Sequence, residues 1–293
     1  MSGAGFARLE ACLAELASPA FAAPFLDLCL ATARVVCSAL ASPGPRLVVN
    51  AIGSCAAGVA VPGVSDLDLG VSLPADAPRP PGWLTRTLER VVRALEEHLP
   101  GSGARLSDGK GRTPVVKLAV GGLRVDVVLG AEDRFLAATG WAREQVARRR
   151  FLRPLARGLK TLLFHGGLLS SQVRGGVPSY VLFNLVVATL RRLADDHGLR
   201  DDAPLGVALL GVVHLLAHRT PPDAVLSAAD EYPPLAGRAD DAAAAGDGPT
   251  VRDPQDPARD CAQHVRCWPQ FVDAMRHFEQ LLILDGAAAL THT

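Results

Sequence analysis

The chain has 293 residues, 49% of them hydrophobic, which allows one large domain or two modest ones with real cores. Thirty Lys and Arg balance thirty Asp and Glu, so the chain cannot coat duplex nucleic acid by bulk charge, although local basic patches stay open. Aromatics are only 5%, leaving Leu, Val and Ala to fill the cores.

The six cysteines, Cys12, Cys29, Cys37, Cys55, Cys261 and Cys267, contain no C-x-x-C pair and no disulfide framework, which fits a reducing compartment. Cys261, His264 and Cys267 are spaced by three and are expected to be small buried groups rather than a zinc site. No apolar run is expected to reach the roughly 18 residues of a membrane helix. The first thirty residues carry Glu10, Glu15 and Asp27 against Arg8 alone, unlike a secretory signal or an Arg-rich transit peptide.

Residues 5–40 read as helical, with apolar residues recurring at three and four. Leu47–Ile52 is a short β-branched run that delivers Gly53-Ser54, and Cys55–Val61 is expected to form a short helix. Leu67–Leu73 alternates as a strand. Asp66 and Asp68 then share a face, because a strand repeats every two residues. Pro74–Gly82 is a loop and Leu84–Leu99 an amphipathic helix. Val115–Val120 and Leu123–Leu129 flank Gly121-Gly122 as a hairpin, with Asp126 embedded in the second strand.

Beyond about residue 135 the pattern turns helical. Ala147–Phe164 is expected to kink at Pro154 or to restart there. Its other side carries Arg143, Arg148, Arg149, Arg150, Arg153, Arg157 and Lys160, a face suited either to an RNA 3′ end or triphosphate or to plain solvation. Ser179–Ala194 is a helix with Ser179 as a reasonable N-cap, and Leu205–His218 is another. Residues 219–257 read as a long loop, and Ala262–Leu284 as a last helix interrupted or started at Trp268-Pro269.

The chemistry gathers at residues 53–70. Gly53-Ser54 ends a strand, Asp66 and Asp68 follow on one face, and Asp126 comes from another strand. Nucleotidyl transfer needs positioning and charge neutralisation, supplied by two Mg²⁺ ions about 3.5–4 Å apart on carboxylate oxygens. Asp66 and Asp68 can bridge both ions, and Asp126 completes one site. Gly53 lets the backbone approach phosphate, and Ser54 offers a hydroxyl where a helix begins.

The ordered set resembles the signature of the DNA polymerase β-like nucleotidyltransferase superfamily, and within it the terminal RNA uridylyltransferases and their poly(A) polymerase relatives. Leu159-Lys160 with Gly175-Gly176-Val177-Pro178-Ser179-Tyr180 resembles that family's central lysine and G-G-x-x-S-Y helix start. Pro204–Leu210 resembles its L-G-x-L-L helix, and Asp253-Pro254-Gln255-Asp256-Pro257 its D-P-[FY]-[DE] segment. The match covers about residues 47–285 and is most like the compact trypanosomatid uridylyltransferases.

The resemblance implies an α+β protein. A mixed-sheet nucleotidyltransferase catalytic domain occupies residues 1–137, a mostly helical base-recognition domain residues 138–293, and the active site lies in the cleft between them. It makes Asp66, Asp68 and Asp126 the metal ligands for two Mg²⁺ or Mn²⁺ ions. Lys160, Ser179, Ser54 and Ser65 hold the triphosphate, Tyr180 stacks on the base, and Asp253 and Asp256 reach the base edge. Where the family often has a second lysine this chain has Phe164, with Arg157 or Arg174 as replacements. Gln255 stands for an aromatic, Asp260–Gln263 for an N-[VL]-G-R stretch, and Arg259 near a base-selecting histidine. The implied activity is addition of UMP from UTP to a single-stranded RNA 3′ end, with ATP addition as the alternative. Further alternatives are an oligoadenylate- or cyclic-dinucleotide-type synthase and an inactive RNA-binding homologue. A protein partner for RNA selection, no membrane, and a cytoplasmic rather than mitochondrial location complete the expectation.

Overall fold

The computed structural model describes residues 3–40, 47–73, 81–107, 114–129, 132–169, 175–230, 235–237 and 248–285. Arg174 and most of the expected loop over 74–82 lie outside them. The described chain forms two compact units, residues 22–144 and residues 1–21 with 145–293. The join falls inside a helix, and the first helix belongs with the C-terminal half, unlike the division at 137 expected from the sequence.

In unit 22–144 the helix α2 (Ala23–Leu40) precedes β1 (Val48–Ile52), a single helical turn α3 (Gly53–Ala56), β2 (Leu67–Ser72) and α4 (Trp83–His98). Then come β3 (Arg105–Leu106), β4 (Val115–Val120), β5 (Leu123–Leu129) and α5 (Glu132–Arg148). The strands form one mixed sheet in the order β1-β2-β5-β4-β3. Only β2 and β5 pair in parallel. The β4–β5 hairpin and its Gly-Gly turn match the sequence expectation residue for residue, because alternation and turn chemistry agree there. The expected helix over 55–61 shrinks to one turn, and α5 begins well before the expected start at 147.

One face of this sheet is apolar. Leu67, Leu69 and Val71 of β2 and Val125, Val127 and Leu129 of β5 pack with Val36 of α2 and Leu88, Val91 and Leu95 of α4. Each such fully buried side chain contributes about 1.5–3 kcal/mol by leaving water. The helical stretch Pro19–Leu40 corrects one sequence expectation. It is 22 residues long with an 18-residue window of mean hydropathy 1.6, long and apolar enough by length and composition to cross a membrane, and it carries only Asp27 and Arg34 as charges. Its Cys29, Val36, Ala39 and Leu40 nevertheless belong to this core.

The second unit holds α1 (Gly3–Ala17), α6 (Leu152–His165), α7 (Ser179–His197), α8 (Leu205–His218) and α9 (Trp268–Asp285). It also holds a sheet that the sequence reading missed, formed by β6 (Ala224–Ser227), β7 (Leu235–Gly237), β8 (Thr250–Asp253) and β9 (Asp256–Asp260) in the order β7-β6-β8-β9. The expected loop over 219–257 thus contains three short strands and the start of a fourth.

Pro154 marks a restart rather than a kink, the second of the two outcomes expected from the sequence. The chain breaks at Arg149–Phe151, and Pro154 becomes the third residue of α6, in the first turn, where a missing N–H costs nothing. Ser179 is not an N-cap either. The cap position is Pro178, whose extended backbone (φ −67°, ψ 151°) leads into α7 without a side-chain cap.

Charge holds α1 in this unit. The Glu10 carboxylate accepts hydrogen bonds from the Leu205 N–H (3.1 Å) and the Gly206 N–H at the start of α8. Acceptors there satisfy orphan amides and meet the positive end of the helix. A Cβ on Gly206 would lie 2.9 Å from Glu10 Oε1 and 3.0 Å from Leu9 Cδ2, so the glycine is what lets α1 approach.

Candidate active site

The polar face of the first sheet carries the carboxylates. Leu67, Leu69 and Val71 are buried on the opposite face, so Asp66 and Asp68 project from this one. Asp68 lies directly across from Asp126 in the parallel β2–β5 register. Asp66, Asp68 and Asp126 are therefore brought together by two adjacent strands.

The third wall is β1. Ile52 pairs with Asp68, and the next residue, Gly53, turns the chain with φ +68°. A Cβ at residue 53 would stand 2.3 Å from Asp68 Oδ2, so the Asp68 carboxylate lies against bare backbone. Any side chain would strain the turn and displace that carboxylate. The Gly53 N–H donates to Thr139 Oγ1 (3.0 Å), whose hydroxyl donates to the Phe135 carbonyl (2.7 Å), fastening the turn to α5. Ser54 sits half-buried in that turn, with its carbonyl accepting from Val59 N–H at 3.0 Å. The buried Ser65 hydroxyl accepts from Val61 N–H (2.9 Å), so it closes the 61–65 loop in addition to any phosphate contact.

Two cations attend the carboxylates. Lys117 Nζ lies 2.6 Å from Asp126 Oδ2, its cross-strand partner. Arg124 Nε lies 2.6 Å from Asp66 Oδ1, an ion pair by distance whose alignment is not that of a hydrogen bond. The sequence reading missed both, although both were legible. Arg124 is two residues before Asp126 on one strand, and the hairpin register sets Lys117 opposite Asp126.

Three hard carboxylate oxygens without sulfur or imidazole suit Mg²⁺ or Mn²⁺. The side chains of Lys117 and Arg124 are 47% and 59% exposed, so both can swing away when a stronger cation arrives. The residues therefore fit a divalent metal site.

The residues expected to touch the nucleotide's triphosphate and base fall mostly in the other unit. Lys160 on α6 is only 5% exposed, which excludes a solvated helix charge. Ser179 and Tyr180 open α7, both half-buried. The Tyr180 hydroxyl donates to Asp253 Oδ1 (2.9 Å), the Gln255 N–H donates to the same oxygen (3.0 Å), and Arg259 Nη1 donates to Asp253 Oδ2 (3.0 Å). Asp253 is 3% exposed. Its expected contact with a base edge is replaced here by a role in fixing Tyr180. Burial, then the Asp253 charge, push the Tyr180 phenol well above its usual range. Asp256 is exposed and pairs with Asp253 across a two-residue turn, so the D-P-Q-D segment is a tight β8–β9 hairpin.

The basic face of the sequence is largely spent inside the fold, a correction to its reading as an RNA grip. Arg157 is 2% exposed and donates to the carbonyls of Leu16 (2.6 Å) and Ser18 (3.1 Å) at the end of α1. Burial, then the neighbouring Arg153 charge, lower its pKa to about 10. Arg153 reaches the Ala17 carbonyl, and Arg150 the Ala203 carbonyl. Arg148 and Arg149 pair with Asp230. Arginine behaves this way because its stem buries well and its fork satisfies helix-end carbonyls. Arg157 is thus no substitute for the missing lysine at Phe164.

Neither a protein-family model nor a curated protein sequence matches the chain. Solved structures do. The polymerase core of TRAMP, an RNA surveillance complex, superposes with a TM-score of 0.75 at 18% identity, spanning 91% of this chain and 83% of that one. The Cid1 poly(U) polymerase superposes at 0.71 and 14% identity over 89% of each chain. Terminal uridylyl transferase 4 from Trypanosoma brucei, with bound dUTP, superposes at 0.67 and 18% identity over 87% of this chain and 93% of that one. The fold is that of the terminal nucleotidyltransferases. At these identities the likeness establishes the nucleotidyltransferase fold, and residue roles rest on the geometry above.

Proposed function

We propose that the chain is a metal-dependent, template-independent RNA 3′-terminal nucleotidyltransferase that adds UMP from UTP. The observation that carries this is the Asp68–Asp126 register, with Asp66 on the same face and Gly53 cleared for the Asp68 carboxylate. In the reaction the RNA 3′-hydroxyl oxygen bonds to the α-phosphorus of the nucleotide, the bond to the β-phosphate oxygen breaks, and pyrophosphate leaves. Two divalent cations on Asp66, Asp68 and Asp126 would supply activation of the hydroxyl and neutralisation of charge on the leaving group.

The chain's own residues bind and orient. The Gly53-Ser54 backbone and the hydroxyls of Ser54, Ser65 and Ser179 are assigned to the triphosphate, together with Lys160. Tyr180 is assigned to the base by stacking, worth about 1–3 kcal/mol per base and tolerant of which base it is. Its ring is pre-oriented by Asp253, which lowers the ordering cost of stacking. Asp256, exposed at the hairpin turn, is the acid left to read the base edge. With so many basic side chains spent on internal carbonyls, RNA choice falls to a protein partner.

One observation favours ATP as the second reading. Asp253, the acid that the resemblance gives to uracil, has both oxygens occupied by protein donors. Incubation with Mg²⁺, a single-stranded RNA and each labelled NTP in turn decides between the readings. Preferential extension by UTP supports the proposal. Preference for ATP establishes the second reading instead.

A further inference from the structure

We infer that His214, His218 and Glu279 form a site for a divalent transition metal of the Zn²⁺ class, clasping α8 to α9. Nothing in the nucleotidyl-transfer proposal uses these residues, and they lie in the unit that does not carry the three aspartates.

The site is built by helix geometry. Residues four apart on a helix stack on one face, so His214 and His218 of α8 stand side by side, their ring centroids 5.0 Å apart. Helix α9 packs against α8 and brings Glu279 between them. Glu279 Oε1 lies 2.8 Å from His214 Nδ1, and Oε2 lies 2.6 Å from His218 Nε2. One ligand atom from each of the three residues falls within 4.8 Å of the others. Zinc binds imidazole nitrogen and carboxylate oxygen at about 2.0–2.2 Å, so its ligand atoms stand roughly 3.3 Å apart in a tetrahedron. The two His–Glu contacts need to open by about 0.5–0.7 Å, and the ligand atoms, which span as much as 4.8 Å, to draw together. The imidazoles can provide this, because their side chains are 47% and 39% exposed while Glu279 is held at 12%.

The donor chemistry selects the metal. Two imidazoles and one carboxylate suit Zn²⁺, Co²⁺, Ni²⁺ or Cu²⁺ and discriminate against Mg²⁺, which favours oxygen. This site and the carboxylate face therefore sort metals by hardness. Three protein ligands leave a fourth position for water.

The test is Co²⁺ and Zn²⁺ binding by the full chain without NTP or RNA. Co²⁺ should give visible bands of low coordination number without the near-ultraviolet charge transfer of thiolate ligands. Zn²⁺ should displace it at one equivalent and raise Tm. His218→Ala should weaken binding by about 100-fold or more and abolish the Tm rise, since a ligand contributes more than the 10- to 100-fold typical of an outer-shell partner. Glu279→Gln, which keeps the side-chain shape, should also weaken it, whereas Asp66→Asn should leave it intact. A thiolate spectrum, affinity unchanged in His218→Ala, or no stoichiometric binding by the folded wild type would each overturn the inference.

Discussion

The two units hold their acidic residues in opposite ways. On the first sheet, Asp66 and Asp126 are partly open and paired with Arg124 and Lys117, long cations that are themselves about half exposed. In the second unit, Asp253 is sealed, with both oxygens taken by Tyr180, Gln255 and Arg259. A partner that can leave keeps a carboxylate available to a ligand. A partner fixed by burial makes the carboxylate part of the scaffold. The first arrangement suits a centre that exchanges cations, and the second suits a device that aims an aromatic ring.

The sharpest way to break this comparison is Gly53→Ala. A methyl group 2.3 Å from Asp68 Oδ2 must push that carboxylate aside. Displacement of reacting groups by about 1 Å costs about 100-fold in rate, so extension should fall by about that much while cooperative melting persists. Extension at the wild-type rate would remove Gly53 and Asp68 from the centre.

Asp253→Asn tests the sealed arrangement. It strips a buried charge from Arg259 and should lower stability by about 2 kcal/mol, because a mostly buried ion pair is broken from one side. Tyr180 supplies a pH signature. Its phenol is held neutral, with a folded pKa raised above the usual 10, so its contribution to stability is complete below pH 10 and is lost as pH rises beyond it. An alkaline absorbance titration should show one late tyrosine, removed by Tyr180→Phe and shifted back toward 10 by Asp253→Asn. Ionisation of every tyrosine near 10 in the wild type would contradict the sealed network.

The smallest effect is expected at Lys117. A partly exposed ion pair is worth about 0–1 kcal/mol, so Lys117→Met should leave stability nearly unchanged. If the lysine competes with metal, the Mg²⁺ concentration for half-maximal extension should fall about two- to threefold. A rise instead would make Lys117 a supporting partner of Asp126 rather than a displaceable one.

Much of the placement of the carboxylate face was legible because it depends on strand alternation and short-range order. Leu67 and Leu69 mark the buried side of β2, so Asp66 and Asp68 could be assigned to the other side. The Gly121-Gly122 turn fixed the register around Asp126. What could not be read depends on distant partners. Glu10 binds to α8 from 195 residues away, so no local pattern places α1 in the second unit. The arginines around 148–157 look like a solvated face in sequence, but Arg157 reaches carbonyls about 140 residues away. The strands β6 to β9 are three to five residues long, too short for alternation to outweigh the surrounding Pro and Asp. Asp253 looked like an accessible loop acid because the hairpin that buries it is visible only once β8 and β9 pair.

The most direct test of the central claim is extension of a single-stranded RNA by the wild type and by Asp66→Asn, with Mg²⁺ and with excess chelator. The account predicts extension by the wild type with Mg²⁺. It predicts loss of at least about 1000-fold in the variant and in chelator, the scale of several kcal/mol that a bound metal supplies to the transition state. A folded wild type that adds no nucleotide from any of the four NTPs, or an Asp66→Asn variant as active as the wild type, would contradict it.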